Sequence, residues 1–200
     1  MLGTNVRVHP WFWLVTLIMG LPASGESLDL HSVASFFVSR VDTETDRRLG
    51  ELGRPDLQGR LAVANAKLAY RQWKEVFSEE RWGALAAKGA SKQWCLWAST
   101  STKNPAYSDV LYIDNLVGPE TVNTMPEETI RAFQDHGRVA RTLEEGLDEA
   151  RRLLEQIAEV GVDYDDVTQT LEEEGVQKFA DSFDELLDGI RAKRAELVAA

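Results

Sequence analysis

Ser32-Val33-Ala34-Ser35-Phe36-Phe37-Val38-Ser39-Arg40-Val41-Asp42 is an apolar, β-branched and aromatic run that breaks off in polar and charged groups. Only the small Ser35 and Ser39 interrupt it before Arg40, which is the pattern of a strand buried on both faces, as in a parallel sheet. That reading puts Arg40 at the strand's carboxyl end. Sites in parallel barrels lie at the carboxyl ends of strands, where an arginine presents a planar fork of donors to phosphate or carboxylate. An ordinary core strand followed by a surface arginine explains this segment, taken alone, equally well.

Further along the chain the balance moves. Gln93-Trp94-Cys95-Leu96-Trp97-Ala98 is a second apolar run, followed by Ser99-Thr100-Ser101-Thr102-Lys103-Asn104-Pro105, a hydroxyl-rich loop with one cation that suits an anion. A shorter run passes through Leu111-Tyr112-Ile113-Asp114. Then comes Glu120-Thr121-Val122-Asn123-Thr124-Met125-Pro126, with Pro126 placed for the first turn of a helix and Thr124 nearby as its cap. Strand and helix patterns alternate, which favours a parallel α/β fold.

Amphipathic helices are expected over Arg60 to Phe77, from Thr129 to Phe133, over Val139 to Val160, and near Val167 to Leu171 and Phe179 to Leu197. Arg151 and Arg152, among acidic neighbours, read as a solvated face with helix ion pairs worth about 0.3–0.5 kcal/mol each. Gly89 and Ala90 break the pattern before the second apolar run.

Taken together, these segments resemble transaldolase, specifically the carboxyl-terminal part of its longer bacterial form. Ser32 to Asp42 is similar to the sixth barrel strand, Trp97 to Tyr107 with Leu111 to Asp114 to the seventh strand and its loop, and Thr121 to Pro126 to the eighth. Gly161 to Thr168 and Glu174 to Phe179 resemble the family's last helical segments. The likeness runs from His31 to Ala200. It implies an α/β fold, the C-terminal portion of a (β/α)8 TIM barrel with its sixth to eighth strands and covering helices, truncated at the N-terminus. Residues 31–200 form that part, after a non-matching apolar segment, residues 1–30.

The resemblance also implies a chemistry. Transaldolases form a Schiff base between a lysine on the fourth strand and a ketose phosphate, cleave a carbon-carbon bond, and pass a dihydroxyacetone unit to an aldose phosphate, a transferase step of the pentose phosphate pathway. A lysine needs a depressed pKa to attack at neutral pH, and carboxylates with a water move the protons. No cofactor or metal is required. By motif position Ser35 matches the serine near the Schiff base, Phe37 the aromatic of the same strand, and Arg40 the phosphate-binding arginine. Lys103, after Ser101 and Thr102, falls where relatives carry a second phosphate-binding cation, within a longer loop.

The lysine strand has no counterpart, because only Met1 to Leu30 precede the Ser32 strand and a barrel needs roughly 200–250 residues or more. Lys67, Lys74, Lys88 and Lys92 read as solvent-facing, on a covering helix or flanking a turn, where nothing activates an amine as a nucleophile. Lys103 alone lies at a strand end. The chain is therefore expected to be inactive by itself and, as a partial parallel sheet with an open edge, sticky or unstable.

Composition agrees with a cytoplasmic metabolic enzyme. A net charge of -11 and a sequence pI near 4.8 exclude a nucleic-acid binder, which needs a basic footprint. The expected partners are sugar phosphate substrates, with neither nucleic acid nor a stable membrane association. The single cysteine, Cys95, reads as a small buried hydrophobe. His9, His31 and His136 have no zinc-binding spacing.

Within Met1 to Leu30, the run Trp11 to Leu21, with Arg7 before it and Pro22-Ala23-Ser24-Gly25 after it, has the length of a signal-peptide core and is too short to span a membrane. Val15-Thr16-Leu17-Ile18 also resembles the family's fifth strand, with Leu14 where an asparagine is usual. Foreign sequence, from a frame error, a wrong start or a rearrangement, is preferred over a fifth strand, and that over a true signal. The alternative to a transaldolase is thus a non-enzymatic remnant or an exported protein with a signal-like N-terminus.

Overall fold

The computed structural model describes residues 31–199. Trp11 to Leu21 and His9 lie outside the described residues. Three parallel strands form one sheet in the order β1 (Val33–Phe37), β2 (Trp94–Ala98), β3 (Thr121–Asn123). Val33 pairs with Trp94 and Phe37 with Ala98, while Cys95 pairs with Thr121 and Trp97 with Asn123. The helices are α1 (Val38–Glu51), α2 (Leu61–Val76), α3 (Glu80–Ala86), α4 (Leu111–Asn115), α5 (Glu127–His136), α6 (Leu147–Glu159) and α7 (Tyr164–Ala199), with a single 3-10 turn at Pro55–Leu57.

The opening run is thus only half a strand. Extended backbone ends at Phe37, and α1 begins at Val38, so Arg40 sits in the first turn of a helix and not on a strand end. The cause is visible in the spacing: Val38, Val41, Thr45 and Leu49 recur every three or four residues and are buried on one face of α1. The alternation of β1 also differs from burial on both faces. Ala34 is buried whereas Val33 and Phe37 are 42% and 43% exposed, and Trp94, level with Val33, is 44% exposed. One face of the sheet packs on helices, and the other is left open by the described residues.

Cys95 and Trp97 of β2 share one buried cluster with Val38, Val41 and Leu49 of α1 and with Leu61, Leu68, Tyr70 and Trp73 of α2, while α1 packs on α2 and α6 packs on α2 in a further layer. Leu49, Leu61, Tyr70, Trp73, Cys95, Trp97, Leu143 and Ile157 belong to one buried cluster. Tyr70 stacks on Trp73 with ring centroids 5.3 Å apart, and the Trp73 indole N–H donates to the Gln93 carbonyl at 2.6 Å, which fixes the entry into β2. Arg48 of α1 donates to Asp166 at 2.5 Å and to Thr170 at 3.2 Å, tying the start of α7 to α1.

Several expected boundaries move. Residues 139–146 are not helical; the Thr142 and Leu143 amides donate to the Val117 carbonyl, and the helix starts only at Leu147 after Gly146 in the left-handed conformation. The two final helices are one, α7. Leu111 to Asn115 is the short helix α4. Pro126 is the N-cap residue of α5, not a first-turn residue, and Thr124 does not cap, since both its amide and its hydroxyl donate to the Trp97 carbonyl. Lys67 is a clear correction. It is 9% exposed and donates to the Glu145 carbonyl at 3.0 Å, bridging α2 to the loop before α6. A lysine stem is long enough to cross that interface with only its head satisfied.

Gly59 holds a φ of +70°, and a Cβ there would lie 2.7 Å from the Tyr107 ring. Gly59→Ala is expected to lower stability by about 1–3 kcal/mol through left-handed strain, with the clash added. Urea denaturation measures it, and an unchanged midpoint would show that the Gly59 turn and the Tyr107 ring are not packed as described.

Candidate functional site

The carboxyl ends of β1, β2 and β3 lie side by side because the strands are parallel and in register. Their exit segments are stitched together. Immediately after β1, the Ser39 amide donates to the Ser99 carbonyl at 3.0 Å, and the two hydroxyls are 2.9 Å apart. After β2, the Thr100 hydroxyl reaches Asn123 Oδ1 at 2.8 Å and the Thr124 carbonyl at 3.0 Å. Ser99 has a φ of +55°, a conformation that non-glycine residues adopt at a cost and that turns the chain at the sheet's rim.

On this rim, Phe37 is the last residue of β1, and the Arg40 guanidinium carbon lies 4.7 Å from its ring centroid. The stacking orients the fork of a half-buried arginine. Ser35 is exposed two residues earlier, level with Leu96 on the open face of the sheet. In the loop after β2, the Lys103 ammonium donates to the Ser101 hydroxyl at 2.8 Å; Ser101 is buried and Lys103 exposed. The structure therefore joins Phe37 with Arg40, and Ser101 with Lys103, and connects the two groups through Ser39 and Ser99.

A second set of polar side chains, which sequence reading did not assign, holds this loop. The buried Asp42 carboxylate, one turn after Val38, accepts from the Ala62 amide at 2.7 Å and from the Tyr112 hydroxyl at 3.0 Å. One turn further on, Asp46 accepts from the Tyr107 hydroxyl at 2.8 Å and from the Gly59 amide at 2.8 Å. Helix α1, which carries Arg40, is thereby bonded to the start of α2 and to the segment that follows Lys103. The signal in the sequence was the i, i+4 repeat of Asp42 and Asp46 on a face that also carries Val38 and Leu49.

Burial pushes the Asp42 carboxyl up to about 6, opposed mainly by the hydrogen bond from the Ala62 amide. Burial raises Asp46 as well. A carboxyl with a raised folded pKa binds its proton more tightly when folded, so its contribution is complete below the unfolded value of about 4 and is lost as pH rises through about 6. Glu44 works in the opposite sense: its hydrogen bond from Arg47 holds it down at about 2, and its contribution is present above the unfolded value and lost at low pH. The expected result is that the stability gap between the chain and Asp42→Asn shrinks by roughly 2–3 kcal/mol from pH 4 to pH 7. A gap independent of pH, measured by urea titration, would remove Asp42 from this account.

Cys95 is fully buried, and desolvation pushes its thiol up to about 12, as befits a small core side chain. His136 lies on the surface between Asp109 and Asp135, and hydrogen bonding to Asp109 raises it. Among the described residues there is no cluster able to hold a metal ion, and no helix is long and apolar enough to cross a membrane. Of the seven lysines in the sequence, none is on a strand.

The sequence model of the transaldolase/fructose-6-phosphate aldolase family matches residues 13–190. Among curated proteins, the chain is 52% identical over 174 residues to a transaldolase of Frankia alni, covering 85% of this chain and 47% of that protein. It is 50% identical over 183 residues to a transaldolase of Parafrankia, covering 90% and 50%, and 50% identical over 182 residues to transaldolase 2 of Streptomyces coelicolor, covering 88% and 49%. The chain spans about half the length of these relatives. A class of α/β protein with parallel strands and a polar rim at their carboxyl ends thus acquires its family: the chain belongs to the transaldolase/fructose-6-phosphate aldolase family. The match begins at residue 13, inside the apolar segment ahead of the described residues.

Proposed function

We propose that this chain supplies the sixth to eighth strands of a transaldolase-type (β/α)8 barrel, and with them the grip on the phosphate of a sugar phosphate. The observation that carries the reading is the rim itself: Arg40 stacked on Phe37, and Lys103 bonded to Ser101, on exit segments joined through Ser39 and Ser99. Arg40 offers a bidentate fork, and Lys103 a compact charge held near the loop by a neutral hydroxyl. Among the described residues, neither the guanidinium nor the ammonium is paired with a carboxylate. Ser35 and Phe37 stand on the open sheet face, where the carbon chain of a bound ketose phosphate would extend inward from its phosphate.

In the full reaction a lysine amine condenses with the ketose carbonyl, water leaves, and the resulting iminium takes up the electron pair of the broken carbon-carbon bond. An aldose phosphate then accepts the dihydroxyacetone unit. We place that amine outside residues 31–199, and the segment ahead of them contains no lysine. Lys67 is buried, and burial lowers its pKa, yet it is spent on the Glu145 carbonyl on the helical side of the sheet. The 200 residues therefore bind without completing the transfer. A cytoplasmic setting and the absence of any cofactor go with this reading.

Titration of the full chain with inorganic phosphate and with fructose 6-phosphate, followed through amide resonances, tests the grip. Saturable shifts at residues 38–41 and 99–104 with both ligands, and none with fructose, are expected. Shifts with neither phosphate would overturn the assignment.

A further inference from the structure

From Val176 onward α7 presents apolar side chains to solvent: Val176, Phe179, Phe183, Leu186, Ile190 and Leu197 are 56–75% exposed. The steps between the first five are three, four, three and four residues. That is the alternation of the a and d positions of a heptad, a seam narrower than the stripe by which a helix packs on a globular core. Lys193 occupies the one remaining d position.

We propose that this seam pairs with the same seam of a second copy of the chain, in antiparallel orientation. The register follows from the side chains. Placing Phe183 against the partner's Leu186, and Phe179 against the partner's Ile190, buries four apolar layers and lays the aliphatic stem of Lys193 on the partner's Val176. The flanking positions then complement one another. Glu173 meets the partner's Arg194 on both sides of the twofold axis, Ala180 meets the partner's Leu187, and Ser182 meets the partner's Gly189. Small flanking residues let the two backbones approach closely. Asp181, Asp184, Glu185 and Asp188 all fall on outward positions, where their like charges stay in water.

A parallel pair lacks these complements, because it sets Gly189 beside the partner's Arg194 and Ser182 beside the partner's Leu187. The seam starts only after the last α7 residue packed on the core, Leu171, and from Val176 onward about 35 Å of helix turns its apolar seam to solvent among the described residues.

Sedimentation equilibrium of the full chain is expected to give a dimer. Phe183→Glu, at an exposed site, is expected to weaken it about a hundredfold with an unchanged circular dichroism spectrum. Arg194→Glu is expected to weaken it several-fold, with Glu173→Arg in the same chain restoring it. Orientation is read from a chain with Ala180→Cys and Leu187→Cys together, which is expected to cross-link quantitatively between copies on oxidation. A monomeric chain, or a dimer indifferent to Phe183→Glu, overturns the proposal. So does a chain whose residues 176–190 become protected only when a polypeptide spanning the other half of the Frankia alni relative is added.

Discussion

Trp97→Ala is expected to lower the stability of the chain by about 4 kcal/mol. Trp97 is fully buried in the central strand, and its ring centroid lies 5.4 Å from that of Phe36. Removing it leaves a cavity between the sheet and helices that are themselves tied together by α1 and α2, so the site relaxes only in part. The informative comparison is Trp94→Ala, three residues earlier on the same strand. Trp94 is 44% exposed on the open face, and its loss is expected to cost less than about 1 kcal/mol. Urea unfolding of both variants reads the covered and open faces of one strand against each other. Equal losses would mean that both faces of the sheet are packed and that its one-sided cover is wrong.

Arg40→Ala is expected to reduce the affinity of the chain for inorganic phosphate by roughly tenfold to a hundredfold, the range for losing hydrogen bonds to a charged group. In an intact relative the same replacement at the matching position is expected to raise KM for the sugar phosphate and leave kcat nearly unchanged. A phosphate gripped equally in ground and transition states contributes uniform binding, which moves KM and not kcat. Lys103→Ala moves both quantities in the same direction by less, because an exposed ammonium on a loop is more hydrated than a stacked guanidinium. An unchanged KM in the Arg40 variant would count against the phosphate role.

What could be seen in the sequence depended on how local the determining physics was. The parallel α/β layout was legible from the alternation of apolar runs and helical spacings, and β1, β2 and β3 fall within the runs assigned to them. The length of the first strand was not, because Val38 and Val41 are as compatible with a strand as with the first turn of α1; only the extension of their spacing to Thr45 and Leu49 separates the two. The open sheet face could not be read from β1 itself, since Val33 and Phe37 are apolar whether or not another element covers them. Lys67 was misplaced for a related reason. A lysine on an amphipathic helix defaults to solvent, and the Glu145 carbonyl that holds it comes from 78 residues away.

Among the rim residues, Arg40, Ser101 and Lys103 could be singled out as candidates because a fork, a hydroxyl and a cation near strand ends suit an anion, and the fold places them on one rim. Asp42, Asp46, Tyr107 and Tyr112 were not. Their role lies in pairings across 61 and 70 residues that only the fold creates. The same limit applies to α7, whose seam is written plainly in the sequence but whose exposure is not.

The proposed function requires that these 200 residues hold a sugar phosphate and contain no lysine that reacts with it. Borohydride reduction of the full chain in saturating fructose 6-phosphate, followed by peptide mass spectrometry, addresses it directly. The expected result is retention of phosphate binding with all seven lysines unmodified. A reduced sugar adduct on any of them, Lys67 and Lys103 above all, would contradict it.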